Sequence, residues 1–268
     1  MKSLRWPIGA ATRVNDMKAI LTVAGRELAG LFGSPLAWLL IAAVQAILGY
    51  LFLAQVDAFL KVQPSLAATA GAPGVTDLII GPYFTNAAAV LLVVAPFLGM
   101  RTISEELRSG SFSLLRSAPL GNTQITIGKY LGLYLFYLAV ALLLALPPLL
   151  LQTGTDLDLG KFAAVLLGLM LLLSLFASAG VFASSLTPQP GLAATITFAL
   201  LFVLWILDWA GNHTPQASQA LAHLSSFSHF RNLSTGLVDT HDLAYFALIS
   251  IAFLGLTVRQ LEAQRLQR

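Results

Sequence analysis

The densest grouping of ionisable side chains in this sequence is RTISEELRSGSFSLLRSAPL, residues 101–120. It sets Arg101, Glu105, Glu106, Arg108 and Arg116 between two long apolar stretches. Charges so placed suit a surface that docks a partner, or a solvated loop whose arginines merely set topology. Just beyond, GNTQITIGKY brings Gly121, Gly128 and Lys129 close to the order of a phosphate-binding loop. That loop needs four residues between its glycines and a Ser or Thr after the lysine, so that backbone N–H groups and the hydroxyl reach phosphate and magnesium. Here six residues intervene and Tyr130 follows, so the chain is expected to do no ATP chemistry, and Lys129 reads as an interfacial anchor. The histidines, 213, 223, 229 and 241, match no compact ligand spacing. No metal is expected, a site assembled in space being the lesser reading. The serines show no defensible His/Asp arrangement for hydrolysis, and without cysteine there is no thiolate ligand, thiol nucleophile or disulfide.

The medium around these residues follows from composition. Of 268 residues 57% are hydrophobic and 10% charged, against roughly 25% charged in soluble domains. Six runs, 36–55, 84–100, 130–151, 162–186, 191–207 and 243–258, contain no Asp, Glu, Lys, Arg or His. Each approaches the roughly 17–25 apolar residues of a spanning helix, and none has the polar face of a soluble bundle helix. The expected fold class is an all-α integral membrane protein with six spans. The first 30 residues lack the apolar core and cleavage site of a leader and are expected to remain in place.

Orientation follows from the basic residues, which concentrate on the cytoplasmic side of membrane proteins. Five precede the first span, four lie between the second and third, and three follow the sixth: twelve of fifteen on one side. Lys61, Lys161 and Arg231 fall opposite, among Asp57, Asp77, Asp156, Asp158, Asp208, Asp239 and Asp242. Both termini and residues 101–129 are therefore expected in the cytoplasm. This placement already explains the positive charge, so no nucleic-acid partner is expected. Residues 57–82, with Pro64, Gly71, Pro73 and Gly74, read as an irregular outer loop. Residues 208–242 read as a longer loop with short helices dipping into the outer interface. The two sets of three spans share no motif that aligns, which leaves an inverted-repeat carrier without support.

Four segments follow: a tail over 1–13, an amphipathic interfacial helix over 14–33, one six-span domain over 34–258, and a cytoplasmic tail over 259–268. In the second, Val14, Met17, Leu21, Ala24, Leu28 and Leu31 recur at steps of three and four, an apolar face suited to the inner membrane surface. Packing of that helix on a partner is the alternative. Gly33-Ser34-Pro35 then makes an elbow: the glycine ends one helix, the serine caps the next and the proline suits its first turn. In the charged loop, Thr102 and Glu105 fit a capping box, Gly110 interrupts the helix, and Pro119 stops a short apolar-tipped segment bearing Leu114 and Leu115. Asn122 suits the cap of the following helix. Within the spans Gln45 is the most telling polar residue, suited to line a pathway or to bond a neighbouring helix. Asp57 and Asp208 end spans one and five at the outer surface, where both can simply be hydrated.

The order ISEELRSGSFSLLRSAP followed by IGKYLG resembles the cytoplasmic loop of ABC-2 type permeases. The matching positions are Glu105 and Glu106, Arg108, Gly110-Ser111, Leu114-Leu115 and Pro119. The elbow RELAGLFGSPLAWLL, with Arg26, Glu27, Ser34 and Pro35, resembles the start of that family, and FSHFRNLSTGLVDTHDLAYF the approach to its last span. The likeness covers about residues 15–258 and is nearest the gliding-motility-type permeases, with copper-enzyme-maturation permeases close by. Ser111 stands where the family usually has threonine, and Ser113 where many members have glutamate. The resemblance implies that the loop is a coupling helix docking in a groove of a separate cytoplasmic ATPase dimer, which carries the ATP and magnesium. It implies a second permease, the same chain or a related one, in a bacterial cytoplasmic membrane, with the pathway near the interface of the two at spans one and five, so that Asp57 and Asp208 would flank its mouth. The function expected is a permease subunit of an ATP-driven exporter of amphiphilic or lipid-like molecules. The alternative is a membrane anchor acting on an extracytoplasmic accessory protein without transport. An ion-coupled carrier would need ionisable groups inside the membrane, and the six runs have none.

Overall fold

A computed structural model describes residues 16–67, 74–111, 120–155, 157–213 and 223–266. Among them the structure is helical throughout, without a strand. In chain order the helices are α1 (Asp16–Phe32), α2 (Pro35–Ala67), α3 (Gly81–Gly99), α4 (Ser104–Ser109), α5 (Asn122–Leu150), α6 (Leu159–Leu186), α7 (Pro190–His213), α8 (Ser226–Ser234) and α9 (Thr240–Leu266). A π-helical turn, Thr76–Ile80, leads into α3. Six helices, α2, α3, α5, α6, α7 and α9, are long and apolar enough to cross a bilayer. The chain is an all-α integral membrane protein.

Helix α6 sits at the centre, packed on α3, α5, α7, α8 and α9. Two thirds of its apolar stretch (67%) is buried, against 17% for α7. Small residues make this enclosure attainable, because lipid supplies no hydrophobic drive and packing depends on close approach. Ala177, Ser178, Ala179, Gly180, Ala183, Ser184 and Ser185 are all buried along α6. At the tightest point α3 crosses α6 glycine on glycine: a Cβ on Gly99 would lie 3.1 Å from the Cα of Gly180. Two tyrosines bond carbonyls of neighbouring helices, one of them that of Leu144, which Pro148 leaves without its helical N–H. Tyr83 donates to the carbonyl of Leu144 at 3.0 Å and Tyr137 to that of Ala95 at 2.8 Å.

The contacts sort the connections into two ends. Helices α1 and α4, the start of α5 and the ends of α6 and α9 share one end, the last tied on where Gln264 donates to the carbonyl of Ser185 at 3.0 Å. The π turn, the start of α6 and α8 share the other, where Lys161 pairs with Asp77 at 3.0 Å and the Asp158 amide donates to Thr76 at 3.1 Å.

Three expectations change. The expected irregular loop over 57–82 is largely helix: α2 runs on to Ala67 with Pro64 inside it, and the chain is helical again from Thr76. Proline lacks an N–H donor, so at Pro64 the helix gives up one backbone bond in its last turn. The hydroxyl of Thr102 does not cap α4; it is buried without a partner among the described residues, and Ile103 holds the cap position. Asn122 is the first residue of α5 rather than its cap, and the Gly121 amide is instead satisfied by the side chain of Gln124 at 3.0 Å. The elbow stands as expected, with α1 ending at Phe32 and α2 opening at Pro35. Trp38 stiffens it by reaching back to donate to the carbonyl of Phe32 at 2.7 Å. Residues 1–13, the last two residues of the tail, and Leu114, Leu115 and Pro119 with their expected short helix lie outside the described residues.

Candidate functional site: a charged junction beneath the charged loop

Helix α1 packs along the first turns of α5 through small residues. Ala19, Val23 and Ala24 are its buried positions, and they meet Gly128 and Gly132 of α5. A Cβ on Gly128 would lie 2.7 Å from that of Val23, and one on Gly132 would lie 2.6 Å from that of Glu27. Met17 and Leu21, from the expected apolar face, remain exposed on the other side of α1. A hydrogen bond from Gln124 to Asp16, 2.6 Å, pins the two helix starts together.

This contact buries a charge. Lys129, expected at the interface, is 1% exposed. Its ammonium has three protons and three oxygens to receive them: Glu27 at 3.1 Å, Glu106 at 3.0 Å and the carbonyl of Thr102 at 2.5 Å. Glu106 also pairs with Arg26. Two cations and two carboxylates thus join α1, α4 and α5. Burial pushes the Glu27 carboxyl above its ordinary value of 4.5, and the neighbouring Lys129 pulls it back only in part. The partial exposure of Glu27, Glu106 and Arg26 keeps the group open to water on one side, along a cavity of about 350 Å³ that Arg26, Glu27, Ser34, Arg101 and Glu106 help to line.

The same helix α4 is fixed to the centre of the bundle by one hydroxyl. Ser184 of α6 accepts from the amides of Ile103 and Ser104, both at 2.8 Å, and donates to the carbonyl of Met100 at 3.1 Å. It does across space what Thr102 was expected to do along the chain, satisfying the unpaired N–H groups at a helix start. At its other end α4 stops at Gly110, in the left-handed region with φ 75°, where glycine bears no Cβ penalty. Replacing Ser184 with alanine strands two buried amides. It is expected to cost about 1–3 kcal/mol, read as a lowered unfolding temperature in detergent, with Ser184→Thr retaining most of the stability.

The site residues read from the sequence are thus divided. Glu106, Arg26 and Glu27 come together around Lys129, which spacing had assigned elsewhere. Glu105, Arg108, Gly110 and Ser111 are exposed on α4 and just beyond it. Ser34 and Pro35 form the elbow. The candidate pathway residues do not meet: Gln45 borders an open apolar groove of about 450 Å³ with Phe52, Leu143 and Pro147, Asp57 is exposed and pairs with Lys61 one turn on at 2.6 Å, and the side chain of Asp208 lies outside the described set. A partial signal was present in GxxxG-like spacing: Gly128 and Gly132 four apart mark a close helix contact beside Lys129.

Residues 63–258 match the family model for ABC-2 family transporter proteins. That stretch is well over half of the chain and holds five of the six spans, the charged loop and Lys129. The chain belongs to the ABC-2 transporter family. It is accordingly a permease subunit of an ABC transporter, a membrane component and not itself a catalytic ATPase, and the family implies an ABC ATPase as partner in a lipid bilayer. A comparison with curated proteins finds no match. In the permease the junction at Lys129 lies at the end of the bundle that bears α4.

Proposed function

We propose that this permease is the membrane half of an ATP-driven exporter, and that α4 with the loop after it is the element through which a separate ATPase dimer moves it. The observation that carries this reading is the split of the two glutamates. Glu106 is held between Arg26 and Lys129, while its neighbour Glu105 faces water with Arg108. One face of the helix is therefore bonded to three elements of the bundle, and the other is free for a partner. A push on such an element moves α1, α5 and, through Ser184, α6. The basic residues support placing this end and both termini in the cytoplasm of a bacterial inner membrane. The partner ATPase would supply ATP and magnesium, and a second permease, identical or related, would complete the assembly. Gliding-motility-type permeases remain the nearest subgroup by the loop and elbow sequences. The apolar groove beside Gln45 favours an amphiphilic or lipid-like substrate.

The test is co-purification from the native membrane in mild detergent, with the associated chains identified by mass spectrometry. An ATPase is expected with the wild type and is expected to be lost or strongly depleted with the double substitution Glu105→Ala, Arg108→Ala, whose unfolding temperature should stay near that of wild type. Wild type without an ATP-binding partner would overturn the reading. Lipid-stimulated ATPase activity in the recovered complex would favour export over an anchor acting on an outer protein.

A further inference from the structure

At the opposite end from Lys129, α8 and the first turn of α9 bring together His229, His241 and Asp242, residues that their spacing in the chain does not connect. His229 and Asp242 are 3% and 2% exposed. The environment fixes the proton on His229. Its Nε2 lies 3.1 Å from the carbonyl of His223, and a carbonyl only accepts, so Nε2 carries the hydrogen and donates. In the neutral ring Nδ1 is then a bare lone pair, and it faces Oδ1 of Asp242 at 2.5 Å. Two acceptors cannot sit so close unless a proton lies between them; a metal bound here would displace that proton and part the two atoms. The second carboxylate oxygen, Oδ2, is buried with no hydrogen-bond partner among the described residues, a position that ordinarily costs stability.

We propose that this cluster is a binding site for a divalent first-row transition metal, with zinc the leading candidate, held by Nδ1 of His229, a ring nitrogen of His241 and the Asp242 carboxylate. A shared proton would account for the Nδ1–Oδ1 approach alone. A cation gives Oδ2 a use and explains the third group. The donor atoms of all three residues lie within 4.8 Å of one another. Metal–ligand bonds of about 2.0–2.2 Å in a tetrahedron need them roughly 3.4 Å apart. A turn of the carboxylate and a small swing of His241, exposed and with its ring 5.4 Å from those of His223 and His229, achieve this. Two imidazoles and a carboxylate form a borderline donor set that suits zinc better than calcium or magnesium, and exposure of His241 leaves a fourth position for water. The outer arrangement is that of a metal-binding histidine: a carbonyl takes its second N–H and sets the tautomer. The ring of His229 is held further by Tyr245, stacked at 4.1 Å, whose hydroxyl donates to the carbonyl of Leu224 at 2.7 Å. Bound metal would fasten α8 to the last span. The site is independent of the ATPase reading.

The test uses full-length, tag-free protein in detergent, stripped of metal and titrated with Zn²⁺, with Co²⁺ as the coloured substitute. Expected are one equivalent of Zn²⁺ per chain, four-coordinate Co²⁺ absorption bands, and a rise in unfolding temperature with metal, since a ligand of the folded state stabilises it by mass action. His241→Ala, at an exposed position, should leave the metal-free unfolding temperature unchanged yet weaken binding at least about tenfold, and Asp242→Asn should weaken it as much. Absence of stoichiometric binding, or binding that both variants leave intact, would overturn the proposal and leave a charged histidine–aspartate pair sharing a proton.

Discussion

Substituting Lys129 with methionine is expected to destabilise the permease by about 3–5 kcal/mol, the range for removing one partner from a buried ion pair. Methionine fills the volume, so the loss is electrostatic: Glu27 and Glu106 are left facing one another with only Arg26 to balance them, and the carbonyl of Thr102 loses its donor. The loss should depend on pH. A carboxyl raised on folding, as Glu27 is, takes up a proton as the chain folds. Its contribution is therefore most favourable below the ordinary value of 4.5 and declines as pH rises through the window above it. Lys129→Met removes the cation that limits this effect, so its deficit against wild type should be larger at neutral pH than in mild acid. Adding Glu27→Gln, which imitates the protonated form, should restore part of the stability. Thermal unfolding of the detergent-solubilised variants across pH measures all three. A deficit that does not change with pH would refute the electrostatic account.

The second large effect is expected from Gly132→Ala. The new methyl would sit 2.6 Å from the Cβ of Glu27 and 2.8 Å from the carbonyl oxygen of Ala24. Neither neighbour is the far end of a flexible chain, so α1 must move as a body. Overpacking of this kind costs about 1–3 kcal/mol. Displacement of α1 also draws Glu27 away from Lys129, so ATPase activity of the assembled complex should fall further than stability alone explains. Valine at the same position should be worse. If alanine lowers the unfolding temperature but leaves nucleotide turnover and its stimulation intact, α1 is an anchor and not part of the moving junction.

The spans were legible because nothing competes with their signal: twenty apolar residues without a charge have one stable medium. The junction was not, for a physical reason that can be named. Periodicity placed the apolar face of α1 on Val14, Met17, Leu21, Ala24, Leu28 and Leu31. Of these Ala24 is buried whereas Met17 and Leu21 stay exposed, and Ala19 and Val23, which the pattern left out, are the other buried positions. A search for size complementarity, the three buried residues against Gly128 and Gly132, would have found the pair. Thr102 satisfied the sequence pattern of a cap, yet Ser184 satisfies the amides, since a hydroxyl from a packed neighbour competes on equal terms with a local one. Glu106 was marked by the family likeness, and its partners Arg26 and Lys129 became visible only in three dimensions. The cluster at His229 lies in the same class, since its members converge only once α8 folds back on α9.

The glycine-on-glycine crossing of α3 and α6 has a mechanical consequence. With no side chain between the backbones, the crossing can act as a fulcrum: α3 can rock there without repacking a side chain trapped in the contact. It lies at Gly99, five residues before α4 begins, whereas the other arm of α3 runs back to Gly81, about 27 Å at 1.5 Å per residue. Such a lever is driven from its short arm. It trades force for travel, so a small displacement beside the charged loop emerges as a several-fold larger sweep at the far rim, next to the π turn and the start of α6.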